Sequence, residues 1–353
     1  MGTMTAAQLR SVVPPYLLRA IADAPTDAFP RATPAARTAL ASLETVQAPK
    51  REARLGVSHP ATAPDRSPQR SIFDAKGSTT LPGTLVRSEG GPDSGDAAVD
   101  EAYAGLGATH AFWLDVFGRV SIDGAGLPLD ASVHYGQDYD NAYWDGTRMV
   151  FGDGDGEVFN RFTIALDVIG HELTHGVTQY TADLTYQGQS GALNESISDV
   201  FGSLVAQYTA GQTAEQATWL IGEGLFTAAV HGVALRSMKA PGTAYDDPVL
   251  GKDPQPGTMA GYVETTDDSG GVHTNSGIPN HAFFLAATAI GGNAWDGAGA
   301  VWWDALTSPD VTASIDFAGF ARVTVAAADT RFGSGSSQSA AVTEAWRNVG
   351  VLA

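Results

Sequence analysis

The segment His171-Glu172-Leu173-Thr174-His175 holds the side chains of this chain best suited to binding a metal ion. In a helix, His171 and His175 lie one turn apart on one face, about 5–6 Å apart at Cβ, so both imidazoles can reach one ion. Glu172 can place a carboxylate beside that ion without ligating it. Zinc suits such a pair because imidazole is a borderline ligand and zinc imposes no rigid geometry. The motif also occurs in proteins without a metal, so both interpretations stay open on this segment alone.

A second helical segment, residues 191–199, offers two more carboxylates one turn apart. Glu195 can complete a set of two histidines and one glutamate around zinc. Asp199 can accept the second ring N–H of a ligand histidine, which fixes its tautomer and raises its basicity. A solvated acidic face is the alternative, but apolar neighbours such as Leu193 and Ile197 favour burial, and buried carboxylates need partners.

The predicted secondary structure around these segments changes from strands to helices along the chain. Residues 71–150 alternate turns with short apolar runs, which predicts the strands LPGTLV, VSIDG, SVHYG and MVFGDGDG. From residue 164, apolar spacing predicts the helices IALDVIGHELTHGVTQYTA, ALNESISDVFGSLVAQYTA, SGIPNHAFFLAATAIGG and AAVTEAWRNVG. We therefore expect an α+β fold. A β-rich lobe at 71–185 includes the histidine helix at the base of a cleft, and a helical lobe follows at 186–353.

A small basic leader precedes these lobes. Helices are predicted over about 12–22 and 34–46, and the Arg-, Pro- and Ala-containing stretch up to residue 70 has no periodicity, which indicates a linker. Residues 1–70 contain nine Lys or Arg and five Asp or Glu, against 11 basic and 34 acidic residues in the remainder. Binding between leader and body is one explanation, and chance composition is the other.

Composition excludes several classes of function. The formal net charge of -19 argues against nucleic-acid and anionic-membrane partners. The chain has no cysteine, which rules out disulfides and thiol chemistry. No apolar run approaches the roughly 20 residues of a membrane helix. The first residues lack a signal-peptide pattern, so we expect either a cytoplasmic protein or export by another route. With no coiled-coil pattern, a monomer is expected.

Several blocks, in order, resemble the thermolysin family of neutral metallopeptidases. HELTHGVTQYTADLTYQ and GALNESISDVFG carry the resemblance, with DNAYWDGTRMVFGDGDG before them and DDSGGVHTNSGIPNHAF after them. It covers about residues 71–353. In the leader, PPYLLRAIA resembles the protealysin-type precursors of that family. The resemblance implies a zinc endopeptidase acting on peptides and proteins, made as a latent precursor. Residues 1–50 would be an inhibitory prosegment, and 51–70 a linker with the self-processing site, for which Arg54–Leu55 is our candidate bond.

The same resemblance implies roles at the reaction centre. His171, His175 and Glu195 would bind zinc, and Glu172 would take a proton from water and pass it to the leaving amine. A second group would stabilise the oxyanion and orient its donors: His273, Tyr186 and Asp268.

Substrate contacts are implied in the same way. Asn141 and Ala142 match the edge strand that binds substrate backbone, and Arg236 matches the arginine that binds the carbonyl beyond the cleaved bond. Cleavage on the N-terminal side of a bulky hydrophobic residue is therefore expected. The implied pocket for that residue is formed by Phe159, Phe162, Val168, Ile221 and Leu235.

The sequence differs from the family pattern at the positions of the calcium ligands. Asp167 and Glu223 match two calcium ligands, whereas three other acidic positions are occupied by Ala206, Thr218 and Leu220. Calcium needs 6–8 oxygens, so we expect no paired-calcium site and at most one weak one. The loop at residues 153–156 is predicted to be a turn, because Val158 stands where an EF-hand loop needs glycine.

Two other functions compete with the endopeptidase. An exopeptidase would need a pocket for a free terminus, for which no motif is present. A catalytically silent homologue acting as a peptide-binding module would not need the intact set of Glu172, Tyr186 and His273.

Overall fold

The computed structural model describes residues 10–45 and 66–353. The chain divides into two compact units, Met1–Ile164 and Ala165–Ala353. The sequence predicts a division near residue 185, whereas the compact units divide just before the helix that contains His171 and His175.

The first unit is built on a mixed six-stranded sheet with strand order β1-β5-β6-β4-β2-β3. Strand β4 runs parallel to both β2 and β6, and the other pairs are antiparallel. The elements are β1 (Arg10–Ser11), α1 (Pro15–Ala22), α2 (Ala32–Thr45), β2 (Arg70–Asp74), β3 (Thr84–Ser88), α3 (Ala97–Phe117), β4 (Leu129–Val133), β5 (Ala142–Trp144), β6 (Met149–Phe151) and a 3-10 turn (Phe162–Ile164).

Helix α3 is an element that the sequence pattern missed. Its N-cap Asp96 accepts hydrogen bonds from the backbone of its first turn, and Gly118 ends it with a left-handed φ of 63°. Ten of its 21 residues are buried, and the alanines and glycines spread around the helix weaken the apolar period in the sequence. An internal glycine, Gly107, lies against the guanidinium of Arg70, where a Cβ would come within 2.3 Å.

One predicted strand is wrong. VSIDG forms a turn, because the Asp123 carboxylate accepts hydrogen bonds from the backbone N–H groups of Ala125 and Leu127. Strands β3, β4 and β6 overlap the other three predicted runs, and β4 ends before the second half of SVHYG.

The leader packs against this sheet. Strand β1 pairs antiparallel with β5, and Pro15 is the first residue of α1, where the missing N–H of a proline costs nothing. Ser42 of α2 hydrogen bonds to the hydroxyl of Tyr139, 3.0 Å away. Both predicted leader helices are present, with bounds within a few residues of those expected.

The second unit is helical. Its elements are α4 (Leu166–Gln179), α5 (Gly188–Ala210), β7 (Leu220–Ile221), β8 (Arg236–Ser237), β9 (Asp246–Asp247), β10 (Gly251–Lys252), a 3-10 turn (Met259–Gly261), α6 (Asp268–Asn275), α7 (Gly277–Ile290), α8 (Ala298–Leu306), α9 (Phe317–Phe332) and α10 (Ser337–Asn348).

Helices α4 and α5 approach closely through glycines. A Cβ on Gly202 would lie 2.3 Å from the carbonyl oxygen of Asp167 and 2.8 Å from the amide nitrogen of His171. A Cβ on Gly170 would lie 3.0 Å from the Cα of Gly202. This contact brings the predicted ligands of the two helices within reach of each other.

The predicted α+β class is confirmed, with a mixed sheet in the first unit and helices in the second. All four predicted helices of the second half are present as α4, α5, α7 and α10. Among residues 10–45 and 66–353, no helix has the length and hydropathy needed to cross a membrane.

Candidate active site

The two histidines of α4 are fully buried and each is held through Nδ1. His171 Nδ1 donates to the Asp199 carboxylate at 2.8 Å, and His175 Nδ1 lies 2.8 Å from the side-chain oxygen of Asn194. The amide nitrogen of Asn194 donates to the carbonyl of Leu184, so its oxygen faces the imidazole. Both rings therefore carry their proton on Nδ1, which leaves an Nε2 lone pair to bind a metal.

These Nε2 atoms converge on Glu195 of α5. His171 Nε2 is 3.5 Å from Glu195 Oε2, and His175 Nε2 is 3.4 Å from Oε1. One metal-binding atom from each of His171, Glu172 and His175 lies within 4.8 Å of the others, and all three residues are buried. Within the described ranges, His171 Nε2 and Glu195 Oε2 are buried without a hydrogen-bond partner. Two neutral imidazoles and a carboxylate with inward-facing lone pairs fit a zinc ion.

Asp199 connects three elements of the second unit. Its carboxylate accepts hydrogen bonds from His171, from Arg236 of β8 through Nε and NH2 at 2.9 and 2.8 Å, and from Asn280 of α7 at 2.8 Å. Burial alone would raise its pKa, but Arg236 and His171 hold the pKa of Asp199 well below its usual range. The group is therefore a buried carboxylate whose charge is balanced.

His273 is placed by a left-handed turn at the start of α6. Gly270 and Gly271 have φ values of 85° and 72°, which glycine adopts without steric cost. The turn brings the Asp268 carboxylate back onto His273, where it accepts from the backbone N–H at 3.0 Å and from Nδ1 at 2.8 Å. Burial disfavours the charged ring, but Asp268 and Glu195 outweigh it and raise the pKa of His273 to about 9.

Tyr186 completes this group of donors. Its hydroxyl donates to Glu195 Oε1 and lies 3.5 Å from His273 Nε2. His273 Nε2 is 3.4 Å from Glu195 Oε2. The second unit therefore brings together Glu172, Tyr186, Glu195 and His273.

The predicted substrate strand lies in the first unit and is bonded to the leader. Asn141 accepts a hydrogen bond from the Val13 backbone at 3.0 Å and donates to the Ser11 hydroxyl at 3.2 Å. The Val12 backbone N–H donates to the carbonyl of Ala142 at 3.2 Å. Residues of the leader thus bind this edge of the sheet as an added antiparallel strand.

The predicted pocket residues are buried in both units. Phe159 and Phe162 pack together in the first unit, with ring centroids 5.5 Å apart and ring planes tilted by 42°. In the second unit, Leu235 donates its backbone N–H to the carbonyl of Ile221, and Val168 is fully buried in α4. Their assembly into one pocket stays a prediction.

The two acidic residues predicted for calcium have different surroundings. The Asp167 carboxylate is buried and accepts the Gly222 backbone N–H at 2.6 Å, whereas Glu223 is exposed. Burial raises the pKa of Asp167 to about 6. Calcium binding therefore stays a prediction.

Three residues at this site were missed by sequence reasoning. Asn194 and Ser198 both contact His175 Nδ1, at 2.8 and 3.0 Å, and Asn280 contacts Asp199. The first two could have been found, because they repeat the four-residue spacing of Glu195 and Asp199 one position earlier. Asn280 is distant in sequence, and only packing places it here.

Family comparisons match nearly all of the peptidase region. The family described as "Thermolysin metallopeptidase, catalytic domain" matches residues 59–179, and "Thermolysin metallopeptidase, alpha-helical domain" matches residues 182–351. The chain belongs to the thermolysin family. It is a zinc metalloendopeptidase with an intact HExxH group.

The relatives of this thermolysin-family chain include two proteases and one solved precursor structure. An "Extracellular metalloprotease" from Pectobacterium carotovorum subsp. carotovorum is 51% identical over 348 residues, covering 99% of this chain and 98% of the relative. "Protease PrtS" from a Photorhabdus species is 54% identical over 284 residues, covering 80% and 76%. The solved structure "Precursor of Protealysin, Metalloproteinase from Serratia proteamaculans" has a TM-score of 0.88 and 52% identity, covering 97% of this chain and 99% of that one. The 97% coverage means that the match to this precursor structure includes most of the leader of this chain.

Proposed function

We propose that this chain is a latent endopeptidase precursor that, once processed, cleaves peptide bonds on the N-terminal side of bulky hydrophobic residues. The observation that supports it most is the buried group of His171, His175 and Glu195 with Glu172 beside it and the donors Tyr186 and His273 facing Glu195. A structural zinc would need no such donors.

Each residue then has a defined task. Zinc bound by the two histidines and Glu195 would acidify a water molecule and polarise the substrate carbonyl. Glu172 accepts the proton from that water and delivers it to the leaving amine. His273 and Tyr186 donate hydrogen bonds to the developing oxyanion, and Asp268 fixes the His273 ring.

Substrate binding would use the edge of β5. The backbone and side chain at Asn141 and Ala142 bind an extended peptide, and Arg236 binds the carbonyl beyond the cleaved bond. The hydrogen bonds of residues 11–13 to this edge support both the strand-addition mode and the latency, because the leader uses groups that the substrate needs. The candidate bond Arg54–Leu55 lies outside the described residues.

The E172A variant tests the chemistry. We expect peptide hydrolysis to fall by about 10²–10⁴-fold, because the general base is lost, while zinc content stays near that of the wild type. Glu215→Ala, which changes an exposed glutamate of the second unit, is the matched control. Processed wild-type protein that binds peptides but cleaves none would favour the silent binding module.

Two further measurements test latency and specificity. N-terminal sequencing of the active enzyme should show a new terminus between residues 51 and 70, and an intact Met1 or Gly2 terminus in fully active protein contradicts latency. Peptides that differ only after the scissile bond should be cleaved fastest with leucine or phenylalanine and slowest with aspartate. Equal rates across the set would exclude the predicted pocket.

A further inference from the structure

We propose that Asn280 is a positioning residue for both the zinc ligand His171 and the arginine Arg236, acting through Asp199. This proposal rests on the roles given above to zinc and to Arg236.

The geometry around the Asp199 carboxylate supports the first step. Its Oδ1 accepts from His171 Nδ1 and from Arg236 NH2, both at 2.8 Å. Its Oδ2 accepts from Arg236 Nε at 2.9 Å and from Asn280 Nδ2 at 2.8 Å. Four donors thus occupy the roughly four lone-pair sites of an ionised carboxylate. Without Asn280, Oδ2 would keep only Arg236 Nε, and the carboxylate could rotate towards the guanidinium.

The direction of the Asn280 amide follows from the charge of its partner. Asp199 is fully buried and receives two N–H groups from Arg236, so it is ionised and can only accept. The atom of Asn280 that faces it must therefore be the NH2 group. The side-chain oxygen of Asn280 is buried without a hydrogen-bond partner. Burying an amide whose oxygen has no hydrogen-bond partner costs free energy that an apolar side chain would not. The hydrogen bond to Asp199 is therefore the favourable contribution of an asparagine at this position.

Through Asp199, Asn280 would affect both zinc binding by His171 and substrate binding by Arg236. The orientation of Asp199 sets the ring plane and tautomer of His171, and it also sets the guanidinium plane of Arg236. Asn280 is the fourth residue of α7, the helix that follows the His273 helix α6, and through Asp199 it connects α7 to His171 of α4. Loosening Asp199 should weaken zinc retention through His171 and substrate binding through Arg236 in the same variant.

The test uses the processed enzyme with N280A and N280L, the second of which keeps most of the side-chain volume without a donor. We expect zinc transfer to a chromophoric chelator to be about 10-fold faster than in wild type. We also expect KM to rise more than kcat falls when zinc is kept saturating. T288A, an exposed position on the same helix, should match wild type in both measurements.

A core variant separates positioning from general loss of stability. Phe283 is buried on the same helix against Trp219 and Trp302, so F283L should lower the melting temperature without touching Asp199. Faster zinc loss in N280A and N280L than in F283L at matched melting temperature supports the proposal, and equal zinc loss overturns it. Zinc transfer is measured without peptide, so this result stands even if the proposed peptidase specificity fails.

Discussion

At the residue scale, Tyr186 joins the ligand group to the oxyanion donors. Its hydroxyl contacts Glu195 and lies 3.5 Å from His273 Nε2. In the Tyr186→Phe variant we expect kcat to fall about 10²-fold with little change in KM, because a donor to the transition state is lost. Steady-state kinetics on a short peptide measure both constants.

Tyr180→Phe provides the control for this prediction, since Tyr180 is exposed at the end of α4 and lies outside the site. A fall in kcat of similar size in both variants would mean that the Tyr186 hydroxyl has no specific role.

Asp167 leads to a pH prediction. Burial raises its pKa from 3.8 to about 6, so the folded state favours the neutral acid. Its stabilising contribution is fully present below about pH 4 and is lost as pH rises to about 6. Asp167→Asn keeps an acceptor for Gly222 without a charge. Its stability relative to wild type should therefore rise between pH 4 and 7, by on the order of 2–3 kcal/mol.

Urea unfolding at several pH values measures this difference. The E172A background prevents autolysis, and calcium-free buffer avoids a bound cation that would lower the pKa of Asp167. The exposed Asp310→Asn serves as a charge-matched control. Parallel pH curves for wild type and Asp167→Asn would show that Asp167 is ionised in the folded protein throughout this range.

At the element scale, the leader helix α2 is held at its start by two acidic residues of the same unit, Glu157 and Asp138. Glu157 accepts hydrogen bonds from the backbone N–H groups of Arg31 and Ala32 at 3.0 and 2.9 Å, and the Arg31 guanidinium pairs with Asp138 at 2.6 Å. A carboxylate at a helix N-terminus satisfies donors that the helix leaves open and faces the positive end of its dipole.

Glu157→Ala should therefore loosen the prosegment. Removing a cap costs about 1 kcal/mol, so we expect cleavage of the precursor to be about fivefold faster. The E172A precursor, with and without Glu157→Ala, is incubated with a trace of active enzyme and followed by gel electrophoresis. Glu215→Ala in the same background is the control, and identical rates in all three precursors would contradict the prediction.

At the scale of the whole molecule, zinc should contribute more to stability than calcium. Three predicted acidic calcium ligands are replaced by uncharged residues, and Asp167 bonds to backbone instead. Adding calcium to calcium-free enzyme should raise the melting temperature by less than about 3 °C, which corresponds to about 1 kcal/mol or less. Removing zinc with 1,10-phenanthroline should lower it by several times more. A calcium effect as large as the zinc effect would contradict this expectation.

The difference in charge between the leader and the rest of the chain also affects the whole molecule, because it contributes to the attachment of the leader. The sequence shows a basic leader and an acidic body. In the structure, one basic residue of the leader, Arg31, forms an ion pair with Asp138 of the body, beside the Glu157 cap. The pair is half exposed, so salt screens it and its share of the binding is small. The attachment therefore depends less on this pair than on the β1–β5 pairing, the hydrogen bonds of Asn141 and the burial of Val12 and Val13.

The sequence by itself determined the fold class and indicated which residues could bind a metal. His171 and His175, and then Glu195 and Asp199, lie at four-residue spacing, and helical periodicity alone puts each pair on one face. It did not reveal α3, because the many alanine and glycine residues of that helix weaken its apolar period.

Tertiary structure alone decided which distant groups meet. Asn280 reaches Asp199, Asp268 folds back onto His273 through two left-handed glycines, and residues 11–13 take the edge of β5. Such contacts join positions with no common periodicity, since they depend on how helices and strands pack and on backbone turns that lie outside any repeat. Spacing within one helix could therefore be predicted from the sequence, whereas these contacts between elements could not.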